Sequence, residues 1–104
     1  LVLIVLSGPP RQFGEYEARH SVKIGATKKR LVCPVDPDQT NMVRWYKGED
    51  LIDQFWTRYK VSKDSSLSLR IKDIELEDAG IFICKVSNGF GNIEFNFTLT
   101  VYGE

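Results

Sequence analysis

The sequence is poor in the residue types that build metal centres and catalytic sites. It contains two cysteines and one histidine, which cannot supply a four-ligand zinc site unless carboxylates complete it. The histidine, His20, lies in a polar segment with no nucleophile at a catalytic spacing. No glycine-rich phosphate loop leads from a strand into a helix. We therefore expect no enzyme activity, no metal ion and no cofactor.

An excess of charge of one sign and a long apolar run are also missing. Lys plus Arg is 14 and Asp plus Glu is 14, so the net charge is zero, which argues against a nucleic-acid-binding protein. The apolar run over residues 1–6 is far shorter than the roughly 20 residues that span a bilayer. We expect any membrane anchor to lie in segments outside this chain.

The first residues admit two interpretations. The apolar run, followed by small residues and two prolines, is typical of the trimmed end of a secretory signal. It could instead form an edge strand that covers the core. We expect residues 1–8 to be a signal-peptide remnant or flexible lead-in and residues 9–104 to form one domain, because 104 residues are too few for two.

Short apolar runs recur from residue 21 onward, with turn-forming residues between them. In one run Leu67, Leu69 and Ile71 share a face, and Ser68 and Arg70 share the other. This spacing predicts an all-β antiparallel sandwich or barrel. The predicted strands cover residues 22–24, 30–35, 42–46, 59–61, 67–71, 81–87 and 93–101.

Two cysteines and a tryptophan carry a specific resemblance. Cys33, Trp45 and Cys84 follow in that order, and residues 78–84 read Asp-Ala-Gly-Ile-Phe-Ile-Cys. Residues 21–102 thus resemble the immunoglobulin superfamily, with its Cys, Trp and Asp-x-Gly-x-Tyr-x-Cys pattern. The resemblance implies an immunoglobulin-like β-sandwich of the I-set type, with two antiparallel sheets joined by a Cys33–Cys84 disulfide. Its core would be built around Trp45, Phe82 and Leu69.

The base of the implied sandwich departs from the family pattern at one position. Phe82 stands where the family usually places a tyrosine, so its ring can fill the core but offers no hydroxyl. Arg58 stands where such domains often supply a partner for the aspartate. The resemblance therefore implies a structural ion pair between Arg58 and Asp78.

A narrower resemblance rests on several short segments. They are Gly-Pro-Pro at 8–10, Leu-Val-Cys-Pro-Val at 31–35, Trp-Thr-Arg-Tyr-Lys-Val at 56–61, Cys-Lys-Val-Ser-Asn-Gly-Phe-Gly at 84–91 and Asn-Phe-Thr-Leu at 96–99. Together they resemble the first immunoglobulin domain of the fibroblast growth factor receptor-like family. This resemblance implies an extracellular module of a cell-surface or secreted receptor-like protein, whose ligands are fibroblast growth factors and heparan sulfate.

Two other functions stay open at this point. One is a homophilic adhesion module that forms a homodimer, and the other is an intracellular structural I-set domain of a muscle filament. In the true growth factor receptors the growth-factor contacts lie mainly on later domains. The resemblance therefore assigns no growth-factor-contact residue to this chain.

Basic residues are concentrated near the start of the domain. Residues 18–35 carry five basic side chains and no acidic one. Such a cluster can bind a sulfated polysaccharide, and we expect Lys23, Lys28, Lys29 and Arg30 to bind heparan sulfate. A solvated edge with ordinary lysines would have the same composition. Lys29 shares a face with Leu31, so we expect its stem to pack at the mouth of the sandwich.

Several outward positions carry a candidate modification site or a candidate protein interface. Asn96 begins the N-glycosylation motif Asn-Phe-Thr, and alternation directs it outward. Alternation also directs Tyr46, Ile81 and Ile83 outward on one sheet, where they could form an adhesive patch. Trp56 lies in a loop and is predicted to be an interface anchor, although it could simply pack on the domain edge.

Overall fold

The computed structural model describes residues 8–103, which form eight β-strands and one short 3-10 turn. The strands are β1 (Arg19–Lys23), β2 (Lys28–Val32), β3 (Met42–Lys47), β4 (Asp50–Leu51), β5 (Tyr59–Val61), β6 (Ser68–Lys72), β7 (Gly80–Asn88) and β8 (Gly91–Tyr102). The 3-10 turn covers Leu76–Asp78, between β6 and β7. Of the predicted lead-in, residues 1–7 lie outside the described residues, and Gly8 is the first residue described.

The strands form two sheets, which confirms the predicted immunoglobulin-like sandwich. One sheet has the order β1-β8-β7-β3-β4 and the other has the order β2-β6-β5. The larger sheet departs from the antiparallel prediction at one edge, where β1 runs parallel to β8. No hairpin joins β1 to β8, so nothing in their connection requires an antiparallel pair.

Alternation of apolar and polar side chains explains which residues face the core. In β8, Phe95, Phe97 and Leu99 are buried, whereas the residues between them are exposed. The same period holds in the smaller sheet, where Leu31 lies opposite Leu69 and both are buried. Trp45, Phe82 and Leu69, the predicted core residues, are all fully buried.

A disulfide joins the two sheets, as the family resemblance implied. Cys33 directly follows β2 and is bonded to Cys84 in β7, 51 positions later. Trp45 lies opposite Cys84 in the β3–β7 register, and its indole Nε1 donates to the Ser66 carbonyl oxygen at 2.9 Å. By the chain-entropy model, closing a loop of this length stabilises the fold by about 4 kcal/mol.

Gly8 is held against the loops at one end of the sandwich. Its carbonyl oxygen accepts hydrogen bonds from Asn88 Nδ2 at 2.9 Å and from Gln39 Nε2 at 3.2 Å. Pro9 packs so closely on the β7–β8 hairpin that a Cβ added to Gly91 would lie 3.0 Å from the Pro9 Cβ. Glycine at position 91 therefore permits this contact.

A buried carboxylate organises the opposite end of the sandwich. Arg58 donates to both oxygens of the fully buried Asp78 carboxylate, at 2.7 and 2.8 Å. The Glu75 backbone N–H donates to it at 2.7 Å, and the Tyr59 hydroxyl also donates to it. Burial opposes the charge of Asp78, but these donors outweigh burial and hold the pKa of Asp78 below its usual value.

Tyr59 supplies the hydroxyl that Phe82 lacks. The Tyr59 ring stacks on Phe82 across the core, with the ring centroids 6.0 Å apart. Burial raises the pKa of Tyr59, and the hydrogen bond to Asp78 raises it further, so the hydroxyl stays protonated and donates. A tyrosine on the smaller sheet thus bonds the aspartate of the Asp-x-Gly motif.

Asp78→Asn should destabilise the domain in a pH-dependent way. Because the folded-state pKa of Asp78 is lowered, the stabilisation from its charge is present above the unfolded pKa of about 3.9 and is lost as the pH falls through the folded pKa. We expect Asp78→Asn to lower the unfolding free energy by about 3 kcal/mol at pH 7 and by less at pH 3. Urea denaturation at the two pH values measures the difference.

A matched control for this variant is Glu77→Gln, which removes an exposed partner of the same Arg58, 3.2 Å away. Its effect should stay below about 1 kcal/mol. If Asp78→Asn is no more destabilising than Glu77→Gln, or if its effect is equal at both pH values, the structural role assigned to this carboxylate is wrong.

Tyr59→Phe should lower the unfolding free energy by about 2 kcal/mol, because it removes one donor from a buried charged acceptor and leaves the ring stacking intact. Thermal and urea denaturation measure the loss. Tyr46→Phe is the control, since Tyr46 lies half-buried on the outer face of the larger sheet. Equal stability of the two variants would contradict the role of the Tyr59 hydroxyl.

Candidate functional site

The outer face of the smaller sheet carries a set of basic side chains that converge from three strands. In the β2–β6 register Lys28 lies opposite Lys72 and Arg30 lies opposite Arg70, and in the β5–β6 register Lys60 lies opposite Arg70. All five are exposed, because the residues that alternate with them face the core. We name this set of five residues the basic face.

The charges of the basic face are arranged unfavourably for folding. Side chains directly opposite each other on neighbouring strands have Cβ atoms about 5 Å apart, and like charges at that distance destabilise a sheet. Among the described residues, no ion pair compensates any of the five. An anion bound between these side chains would offset their repulsion, so the face is electrostatically suited to an anionic ligand.

A shallow groove of about 780 Å³ runs over the basic face. Seven of the described residues that line it are Lys or Arg, and none is acidic or aromatic. Beyond the basic face itself, Lys29 and Lys63 contribute to this lining. Its lining comes from all three strands of the smaller sheet, so a ligand in the groove would contact β2, β5 and β6 together.

The structure separates the four residues that the sequence grouped as a heparan sulfate site. Lys28 and Arg30 belong to the basic face. Lys29, which alternation places on the core side of β2 as expected, is half-buried and also lines the groove. Lys23 does not join them, because it ends β1 in the other sheet. The turn at 24–27 carries the chain from one sheet to the other and so divides the cluster.

Sequence reasoning missed three members of the basic face. Lys60, Arg70 and Lys72 lie 30 or more positions after β2 begins, and only strand pairing brings them beside Lys28 and Arg30. The alternation in β6 could have identified two of them, because Arg70 and Lys72 are exposed and alternate with buried residues.

The outer face of the larger sheet is different in character. Tyr46 lies opposite Ile83 in the β3–β7 register and opposite Leu51 in the β3–β4 register. Ile81 lies two residues before Ile83 on the same side of β7, and it is 52% exposed. We name Tyr46, Leu51, Ile81 and Ile83 the apolar row. The Lys85 Nζ lies over the Tyr46 ring, 4.6 Å from its centroid.

Trp56 does not lie on the apolar row. It is half-buried in the loop between β4 and β5 and packs edge-on against Tyr59, with ring centroids 5.3 Å apart. Its neighbour Phe55 is 79% exposed. The structure therefore places the tryptophan against the domain edge.

Neither a metal-binding cluster nor a membrane-spanning helix is present in residues 8–103. Within that range no group of His, Cys, Asp or Glu side chains is arranged to hold a metal ion. The same range contains no helix with the length and apolar character needed to cross a membrane.

Known proteins provide relatives over most of the chain. The chain is 43% identical over 97 residues to fibroblast growth factor receptor-like 1 of Gallus gallus, and 37% identical over 97 residues to the Homo sapiens protein of that name. These matches cover 93% of this chain but 19% and 18% of the relatives, so the chain spans about a fifth of their length or less.

Solved structures give the same architecture. Sidekick-1 immunoglobulin domains 1–4 superpose with a TM-score of 0.77 at 27% identity, over 90% of this chain and 24% of that one. The titin fragment I67–I69 gives 0.76 at 26% identity, over 91% of this chain and 33% of that one. Both superpose over at least 90% of this chain, and this likeness shows the fold and not the function.

Residues 11–101 match the family model of the immunoglobulin I-set domain. Together with the curated relatives, this match makes the chain an immunoglobulin module similar to those of receptor-like proteins. The chain belongs to the immunoglobulin I-set domain family.

Proposed function

We propose that the chain is an extracellular recognition module of a receptor-like cell-surface protein and that it binds heparan sulfate through the basic face. The observation that carries the proposal is the convergence of five exposed basic side chains from β2, β5 and β6 with no ion pair among the described residues to compensate them.

The chemistry of the groove favours a sulfated polysaccharide. Arg30 and Arg70 can each direct two N–H groups at one anionic group, whereas the lysines act as mobile point charges. An extended sulfated chain can meet several of these side chains at once along the groove. Single-stranded nucleic acid is disfavoured, because such ligands need aromatic side chains for stacking and the described lining has none.

Two features support an extracellular location. The Cys33–Cys84 disulfide is a bond that persists in oxidising compartments and is rare in the cytosol. The curated relatives with the higher identities are receptor-like proteins. Both features favour the receptor-like function over an intracellular muscle filament domain.

A protein ligand, with a fibroblast growth factor as the candidate, rests on the names of these relatives. The chain spans 19% of the Gallus gallus relative, so a ligand of the whole protein need not contact this domain. The basic face would act beside such a ligand by holding heparan sulfate near the receptor.

Neutralising the basic face should weaken binding to heparin, a soluble analogue of heparan sulfate. We expect the triple variant Arg30→Gln, Lys60→Gln, Arg70→Gln to bind a heparin oligosaccharide about tenfold more weakly or worse, a loss of about 1.4 kcal/mol. Its thermal stability should be equal or slightly higher, because like charges no longer face each other. Calorimetric titration and salt elution from heparin resin measure the binding.

The matched control removes the same charge from the other sheet with Arg19→Gln, Lys23→Gln and Lys85→Gln. This control should bind heparin nearly as the wild type does. Equal losses in the two triple variants would mean that net charge alone governs binding, and the proposed site would be wrong.

A further inference from the structure

The apolar row lies on an outward surface of the sandwich. Ile81 is 52% exposed and Leu51 is 45% exposed, with half-buried Tyr46 and Ile83 between them in the register. Adjoining apolar side chains on the surface of a domain favour contact with another molecule, because covering them removes apolar area from water.

The glycosylation motif lies in the same surface. Asn96 is exposed in β8 and lies directly opposite Ile83, and Thr98 of the motif lies directly opposite Ile81. Residues paired in this way have Cβ atoms about 5 Å apart. The intervening Phe97 points into the core, so Asn96 and Thr98 face outward together beside the two isoleucines.

We infer that Asn96 carries an N-linked oligosaccharide and that this glycan covers the apolar row. In the transfer, Asn96 Nδ2 bonds to the anomeric carbon of an oligosaccharide carried on a polyprenyl diphosphate. The bond from that carbon to the diphosphate oxygen breaks, the lipid diphosphate leaves, and the amide nitrogen loses one proton to a base. The acceptor points outward, so the folded domain accommodates the product without opening its core.

The composition of the face favours a glycan over a second copy of the chain. Two such faces packed together would bury the Asn96 carboxamide and the hydroxyls of Thr98 and Thr100, and each buried polar group without a partner costs free energy. The face also carries Lys85, which a copy would have to desolvate or pair. A glycan presents hydroxyls to the polar residues and the C–H faces of its sugar rings to the isoleucines.

This inference rests on the extracellular location proposed above, but it is independent of heparan sulfate binding, which uses the opposite side of the sandwich. If it holds, the homophilic use of Tyr46, Ile81 and Ile83 is blocked in the glycosylated protein. The three-stranded sheet is then the sheet whose outer face stays uncovered.

Carbohydrate at Asn96 is tested by mass spectrometry of protein secreted from glycosylating cells. Wild type, Thr98→Ser and Thr100→Ala should each lose mass on peptide N-glycosidase treatment, because all three keep the acceptor motif. Asn96→Gln should lose none. Absence of a mass loss in the wild type would overturn the inference.

Coverage is tested by hydroxyl-radical footprinting of the glycosylated wild type and Asn96→Gln at equal concentrations. Labelling of Ile81, Ile83 and Tyr46 should be about twofold lower or more in the wild type, whereas Phe55, 79% exposed and outside this face, should be labelled equally. Thr98→Ala replaces Asn96→Gln if the latter is poorly secreted.

Two footprinting results would contradict the inference. Equal labelling of the apolar row in both proteins at every concentration would mean that the glycan points away from it. Protection of the row in Asn96→Gln that grows with protein concentration would mean that a second copy covers it instead.

Discussion

The Cys33–Cys84 disulfide fixes the two sheets against each other, and both outer surfaces of the domain depend on that arrangement. A chain of 104 residues buries a core whose apolar gain exceeds the ordering entropy only narrowly. The cross-link adds about 4 kcal/mol in the chain-entropy model. Since every second strand residue is committed to the core, the remaining residues are free to carry charge on one side and an acceptor asparagine on the other.

The free-energy cost of the repulsion is small enough for the domain to tolerate its basic face. There are three facing pairs, Lys28–Lys72, Arg30–Arg70 and Lys60–Arg70. Even at about 1 kcal/mol each, a cost comparable to that of a favourable cross-strand pair, their repulsion is less than the contribution of the disulfide alone. The Arg58–Asp78 pair differs, because both oxygens of a fully buried carboxylate are bonded and the charge is compensated. Compensated charge therefore lies at the base of the sandwich, and uncompensated charge lies where a ligand can reach it.

The sequence predicted the features that depend on local residue patterns. It did not predict the features that depend on which residues are paired between strands. Alternation in β6 and β8 identified the inward residues, and the cysteine, tryptophan and Asp-x-Gly pattern identified the two-sheet fold. Lys60 was missed because only the β5–β6 register brings it beside Arg70. Lys23 lies apart from the other predicted heparan sulfate residues because a turn moves the chain to the other sheet. The two-residue β4 carries no periodic signal, and the bond from Tyr59 to Asp78 depends on strands that meet only in the folded chain.

The function proposed for this domain depends on the binding of a sulfated polysaccharide by the outer face of the three-stranded sheet. The most direct measurement is a titration of the isotope-labelled domain with a heparin oligosaccharide, followed by the backbone amide resonances in NMR spectra. We expect salt-sensitive shift changes centred on Arg30, Lys60 and Arg70 in β2, β5 and β6. Changes centred on residues 18–23, or no changes at physiological salt, would contradict it.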